Sequence, residues 1–204
     1  MKKTVLLLVV IILAGVLAYK MLSDKTKKDE EKKDQPLSIG KNSDFFNRSF
    51  SGVMDHYYTL ENALVDWDSL KADQAAVDLG RAADSLPVKQ IRGDSNLVLT
   101  IQSLAVALSS DVKDFLGETT LAGKRKSFNT LTDELYNLVR AVKYDRETIY
   151  HIKCPMALGD SAEGYWLSNT VRVVNPYLGK KHPTFKDKML GCGEVDDSLD
   201  FSKK

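Results

Sequence analysis

The sequence predicts an all-α protein: an up-down four-helix bundle with a small irregular C-terminal lobe that contains one or two short strands. Apolar residues recur at helical spacing in four segments between residues 43 and 146. The connections between these segments are only a few residues long, so sequential helices should be antiparallel neighbours. From residue 147 to residue 204 the helical period is lost, and glycine, proline, asparagine and aromatic residues accumulate.

Composition narrows the class of protein. The chain has 204 residues, 43% of them hydrophobic, which is enough for one packed domain with appendages. Its 29 basic and 28 acidic residues nearly cancel. A nucleic-acid-binding protein would show a clustered basic excess, so nucleic acid is not an expected partner. Two cysteines are too few for a disulfide framework.

Residues 1–22 are predicted to be a signal anchor or a signal peptide. Two lysines precede an unbroken apolar run over residues 5–19. The run is slightly shorter than the roughly 20 residues of a membrane span. It reaches that length if Lys20 extends its ammonium group to the interface. We favour an uncleaved anchor, and a cleaved signal peptide is the alternative.

The orientation of this segment is set by two opposing signals. Four lysines follow the apolar run: Lys20, Lys25, Lys27 and Lys28. The positive-inside rule would therefore leave the remainder of the chain in the cytoplasm. The short N-terminal tail favours export instead. We expect the periplasmic side of the cell envelope, anchored to the inner membrane, or secretion if the segment is cleaved. Residues 23–42 then form a charged, flexible linker.

The first helix of the bundle (residues 43–146) should begin after Ser43, a favourable N-cap. Its apolar stripe consists of Phe46, Phe50, Val53, Tyr57, Leu60, Leu64 and Trp67. The second helix should cover residues 70–86 and end at Pro87. Its inward residues should be Leu70, Ala75, Leu79, Ala82 and Leu86. Such stripes are typical of a core and seldom line a ligand groove.

The third helix should follow an N-cap at Asp94 and end at Gly117. Its stripe is Leu97, Ile101, Leu104, Leu108 and Phe115. The fourth should cover residues 121–143, with Phe128, Leu131, Leu135, Leu138 and Val142 inward. In the C-terminal lobe, residues 149–153 and 165–168 are the candidate strands.

The C-terminal lobe also holds the residues that could carry chemistry. Both cysteines lie there, each close to a methionine, together with two of the three histidines. The candidate metal ligands are Cys154, Met156, Met189, Cys192, His151 and His182. Thiolate, thioether and imidazole groups favour Cu(I), and Zn(II) less strongly. The spacing lacks a CxxC and is far less specific than a zinc-finger pattern.

Several short sequence motifs in the lobe form a recognisable set. They are CPMA at 154–157, GYWLS at 164–168, NPYLG at 175–179 and MLGCGEV at 189–195. With YYTLENALVDWD at 57–68, they resemble a bacterial envelope domain of unknown function. That domain occurs alone, and also fused to periplasmic adaptor subunits of heavy-metal, copper-type efflux pumps. The resemblance implies a helical envelope domain associated with metal efflux, with both cysteines, Met156 and Met189 at motif positions. The segment that contains His182 is longer than the shortest version of the motif.

Three interpretations of the two cysteines remain open at this stage. They could bind Cu(I), form a Cys154–Cys192 disulfide, or be buried free thiols packed beside methionines. The predicted function is a membrane-tethered or exported soft-metal-binding protein that acts in sequestration or efflux. Its partners would be the metal ion and an efflux-pump or other envelope protein. The alternative is a non-catalytic envelope interaction module with a structural disulfide.

Catalysis has little support in the sequence. The chain has no GxSxG, HExxH, P-loop or dinucleotide-binding fingerprint. A nucleophilic pair of His151 and Cys154 is conceivable, but closeness in sequence is poor support for a catalytic dyad. The protein is therefore predicted not to be an enzyme.

Overall fold

The computed structural model describes residues 42–159 and 162–202. Within these residues, four α-helices come first: α1 (Asp44–Val65), α2 (Ser69–Asp84), α3 (Ser95–Gly117) and α4 (Leu121–Val142), with a 3-10 turn at Val88–Gln90 between α2 and α3. Three strands follow: β1 (Ile149–Cys154), β2 (Gly164–Ser168) and β3 (Glu194–Leu199). None of the helices described is long and apolar enough to span a membrane. The predicted anchor and nearly all of the predicted linker lie outside the described residues.

Side chains cap the start of each of the four α-helices described. Ser43, Asp68, Asp94 and Thr120 each accept a hydrogen bond from the backbone N–H three residues further on. Such caps satisfy one of the amide groups that have no partner within the helix. The predicted caps at Ser43 and Asp94 are confirmed, as is the end of α3 at Gly117.

The predicted apolar stripes form most of the core, with two corrections. Leu70 was expected to face inward but is 82% exposed, because it lies in the first turn of α2 on the solvent side. Trp67 was assigned to the stripe of the first helix, yet α1 ends at Val65. Trp67 has φ 61°, and Asp68 N–H donates to Ala63 O at 3.0 Å, which closes a Schellman-type helix end.

The predicted all-α class is wrong, because the chain contains a three-stranded antiparallel sheet in the order β2-β1-β3. Two of the strands coincide with the candidate strand segments, and β3 was missed. β3 has the sequence EVDDSL and is almost entirely exposed, so it shows no alternation of apolar and polar residues. It is held through backbone pairing with β1, whose register shifts between His151 and Ile152. Backbone pairing leaves no signal in a sequence.

The sheet packs on the helices through the outer edge of β2. There the backbone N–H of Tyr165 donates to Asn129 Oδ1 of α4 at 2.7 Å. An edge strand exposes unpaired backbone groups, and side chains that satisfy them fix the position of the strand. β1 is the central strand, and its last residue is Cys154. The helices therefore fix the position of that cysteine through the sheet.

Candidate functional site

The two cysteines meet at the end of β1. Cys154 is fully buried, Cys192 is half-buried, and their Sγ atoms are 2.7 Å apart although the residues are 38 apart in sequence. Non-bonded carbon atoms usually stay about 3.5–4.0 Å apart, whereas a disulfide bond is about 2.05 Å long. Both thiols are free. The two sulfur atoms are thus close enough to be oxidised to a disulfide or to bind one shared metal ion.

Asn175 organises the loop that brings Cys192 to this position. Its Nδ2 donates to the backbone carbonyl of Cys192 at 2.8 Å, and its N–H donates to Leu190 O at 2.8 Å. Its Oδ1 accepts from the N–H groups of Tyr177 and Leu178. Asn175 is fully buried, so these bonds are protected from water. The asparagine of the NPYLG motif therefore has a structural role in the site.

Gly193 allows the chain to pass close to β1 immediately after Cys192. Its φ is +140°, and a Cβ at this position would lie 2.7 Å from the Trp166 ring and 2.9 Å from Lys153 O. Only glycine tolerates both the dihedral angle and the close approach. This explains why glycine follows cysteine in the MLGCGEV motif. Gly193 lets the chain bring the thiol of Cys192 against Cys154.

The thiol of Cys192 is protonated at neutral pH. Three effects raise the pKa of Cys192 to about 11. Burial is the largest, and the hydrogen bond to Cys154 and the charge of Cys154 add to it. A thiol in this state is a poor nucleophile. A metal ion that binds must displace its proton, so binding to this pair would be pH-dependent.

The two candidate methionines lie close to the pair in sequence but in different settings. Met156 is 41% exposed. It follows Cys154 in a turn, which Ala157 N–H closes by donating to Cys154 O at 3.4 Å, so Met156 does not continue the line of β1. Met189 is half-buried against the core, and its carbonyl accepts from Cys192 N–H at 3.0 Å. Met189 is therefore in the same turn as Cys192.

His151 lies on the opposite face of β1 from Cys154, as expected for residues three apart in a strand. Its ring stacks between Tyr136, at 4.3 Å between centroids, and Tyr165, at 5.0 Å. Nδ1 is 3.4 Å from Asp196 Oδ2, and Nε2 is buried without a hydrogen-bond partner. Burial lowers the pKa of His151, and the Asp196 carboxylate partly opposes this shift.

His182 packs beside the end of α1. Its ring is 6.0 Å from that of Trp67 and 4.8 Å from that of Phe185. Its Nδ1 accepts from the N–H groups of Thr184 and Phe185, both at 3.2 Å. Both predicted histidine ligands therefore contact groups other than the cysteines. Among the described residues, no group of three or more His, Cys, Asp or Glu side chains is placed to hold a metal ion.

Sequence reasoning missed the roles of Asn175 and Arg125. Asn175 was visible in a turn-forming Asn-Pro pair, a signal that identifies a turn but not its contacts. Arg125, on α4, has no distinguishing sequence signal, since it stands between two lysines. In the structure it is buried, and it donates from Nε to Pro176 O and from Nη2 to Leu64 O. Arg125 thus connects the C-terminal lobe to the end of α1.

Comparison with known protein families shows a similarity over the helical part of the chain. Residues 53–147 match the profile of a family described as "Protein of unknown function (DUF3347)". The matched segment covers most of α1, all of α2 to α4, and ends before β1, so both cysteines lie outside it. Neither the curated proteins nor the solved structures contain a match. The helical part of the chain is thus similar to an uncharacterised domain.

Proposed function

We propose that this protein is a membrane-tethered or exported protein that binds Cu(I) through Cys154 and Cys192 and acts in metal sequestration or efflux. The observation that carries the proposal is the contact between the two Sγ atoms, 2.7 Å apart at the end of β1. Paired thiolates are a preferred ligand set for Cu(I). The CPMA and MLGCGEV motifs resemble those of an envelope domain associated with copper-type efflux, and this resemblance supports the same conclusion.

The pair must open slightly to admit a metal ion. A metal–thiolate bond is about 2.3 Å long, so two sulfurs on opposite sides of one ion lie up to about 4.6 Å apart. Cys154 is held in the central strand, so Cys192 would make most of the movement. Cys192 stands between Gly191 and Gly193, and the space where a Cβ of Gly191 would lie is empty. The chain therefore has room for this shift on the Gly191 side, and the hydrogen bond from Asn175 to Cys192 O would lengthen or break.

Additional ligands would come from the two thioethers. Met189 is in the same turn as Cys192, and Met156 follows Cys154 in the next turn. Thioethers bind Cu(I) weakly enough to permit ligand exchange, which suits transfer to a partner. The proposed partner is an efflux-pump or other envelope protein.

Titration of Cu(I) tests the proposal. The full-length protein, reduced under anaerobic conditions, competes for Cu(I) with a chromophoric chelator. We expect one tightly bound equivalent, lost in Cys154→Ser and in Cys192→Ser, and weakened in Met189→Leu. Met54→Leu is the matched control, because Met54 is fully buried in the helical core. Equal competition by the wild type and the Cys154→Ser variant would contradict the proposal.

A second candidate function is a non-catalytic envelope interaction module in which the two cysteines form a structural disulfide. The same 2.7 Å separation and the complete burial of Cys154 favour it. Closing a loop of this length by a disulfide stabilises a domain by about 3–4 kcal/mol. Protein purified without reductant would then show no reactive thiol after denaturation. Two reactive thiols in that assay would exclude the disulfide and leave the metal site.

A further inference from the structure

A groove of about 630 Å³ opens beside the end of α1. Its apolar part is formed by Leu121, Ala157, Leu158 and Pro183, and its basic part by Arg125 and Lys126. Pockets that hold small molecules are usually of this size and mostly apolar, with a few fixed polar groups. No carboxylate lines the groove within the described part of the chain.

Arg125 is the fixed polar group of the groove. It is only 5% exposed, and it forms no ion pair with any carboxylate among the residues described. Burial lowers the pKa of its guanidinium group to about 10. The adjacent buried cation, Lys124, behaves differently, because its Nζ lies 2.6 Å from Asp73 Oδ1. Of these two buried charges, that of Arg125 has no anionic partner in the described part of the chain.

The surrounding chain holds the guanidinium in one orientation. Its Cζ lies 4.0 Å from the centroid of the Trp67 ring, and its Nε and Nη2 donate to two backbone carbonyls. The two hydrogen bonds that Arg125 forms within residues 42–159 and 162–202 leave Nη1 without a partner there. A guanidinium group presents five N–H donors in a planar fork that matches a carboxylate. Arg125 therefore retains donors for a ligand.

Trp67 is held in a conformation that a large residue rarely adopts. Its φ of 61° lies in the left-handed region, where helix ends usually have glycine. Its indole N–H donates to Leu178 O at 3.0 Å, and its ring covers Arg125. Strained residues of this kind occur most often at ligand sites and switch regions. Trp67 lines the same groove as Arg125.

We infer that this groove binds a small organic carboxylate, with its apolar body on the groove wall and its carboxylate against Arg125 and Lys126. The inference rests on complementary charge: among the described residues, the groove is mostly apolar, its buried guanidinium group has no anionic partner, and no lining residue is acidic. Charge-assisted hydrogen bonds to a carboxylate would supply the missing anionic partner.

Fluorescence quenching of Trp67 provides a local test. The full-length protein in neutral detergent is titrated with para-bromophenylacetate, and separately with its uncharged match, para-bromophenylacetamide. We expect saturable quenching by the carboxylate alone, and its loss in Trp67→Phe. Trp166, the second tryptophan, is fully buried and does not line the groove, so it should contribute little.

Two variants test the groove without changing Arg125, whose hydrogen bonds hold the lobe to α1. Lys126→Glu, on the exposed rim, should weaken carboxylate binding about ten-fold, which corresponds to about 1.4 kcal/mol. Ala122 also lines the groove. Ala122→Phe should therefore weaken carboxylate binding by filling the groove. The matched control is Lys113→Glu, an exposed lysine of α3 outside the groove, which should bind as the wild type does. Equal quenching by the amide and the carboxylate, or equal affinities of the two lysine variants, would overturn the inference.

Discussion

The buried hydroxyl of Tyr57, on α1, accepts a hydrogen bond from the backbone N–H of Leu167, in β2, at 3.0 Å. The same hydroxyl is 2.8 Å from Thr132 Oγ1 of α4. One side chain therefore connects two helices to the outer edge of the sheet. Burial raises the pKa of Tyr57 well above its ordinary value, so the hydroxyl stays neutral.

Tyr57→Phe should lower the free energy of unfolding by about 1–3 kcal/mol, because it leaves the Leu167 N–H buried without an acceptor. Urea unfolding followed by circular dichroism measures the change. Tyr150→Phe is the control, since the Tyr150 hydroxyl has no hydrogen-bond partner among the described residues and its loss should change stability little. Similar losses in the two variants would show that the Tyr57 hydrogen bonds add nothing.

Glu61→Gln should stabilise the protein at neutral pH by about 1–3 kcal/mol, because it removes a charge that burial disfavours. Glu61 is 8% exposed, and burial raises its pKa well above 4.5. Between 4.5 and the raised pKa, the folded state binds more protons than the unfolded state. The stability of the wild type therefore falls as pH rises through this window.

Unfolding of the wild type and of Glu61→Gln at about pH 4 and about pH 7 checks this sign. The two proteins should differ little at the lower pH, where Glu61 is mostly protonated in both states. Their difference should grow towards neutral pH. A difference that is the same at both pH values would contradict the assignment to the charge of Glu61.

Gly179→Ala should destabilise the C-terminal lobe by about 1–3 kcal/mol. Gly179 has φ +56°, and an added Cβ would lie 2.6 Å from both Trp67 Nε1 and Val65 O. Gly52→Ala, within α1, is the matched control, because a Cβ there meets nothing within 4 Å. That change should stabilise the helix by about 0.5–1 kcal/mol. Thermal unfolding of both variants should therefore give shifts of opposite sign.

Asn175→Ala should expose Cys192 to solvent, because it removes the donor to Cys192 O and the acceptor for Tyr177 and Leu178 N–H. The rate at which a thiol reagent modifies the native, reduced protein should rise several-fold at Cys192. Mass spectrometry of peptides locates the modified residue. Asn96→Ala, at an exposed position of α3, should leave the rate unchanged. Unchanged reactivity in Asn175→Ala would mean that other contacts hold the loop.

The helices could be predicted from the sequence alone, because an apolar stripe and a capping side chain are local signals. Ser43 and Asp94 were recognisable as caps, and the stripes from Phe46 to Leu64 and from Phe128 to Val142 became core. The sequence also identified the cysteines as the chemically distinctive residues. Local patterns carry this information because neighbouring side chains on a helix are three or four residues apart.

How these residues come together depends on contacts between segments that are distant in the chain. β3 pairs with β1 through backbone groups, which every sequence possesses, so its charged side chains gave no sign of it. The contact of Cys154 with Cys192 depends on Asn175 and Gly193, which position the chain 38 residues away in sequence. The separation of His151 from the cysteines follows from the alternation of faces along β1. The burial of Arg125 against Trp67 likewise required two distant segments to pack, a relationship that no local spacing encodes.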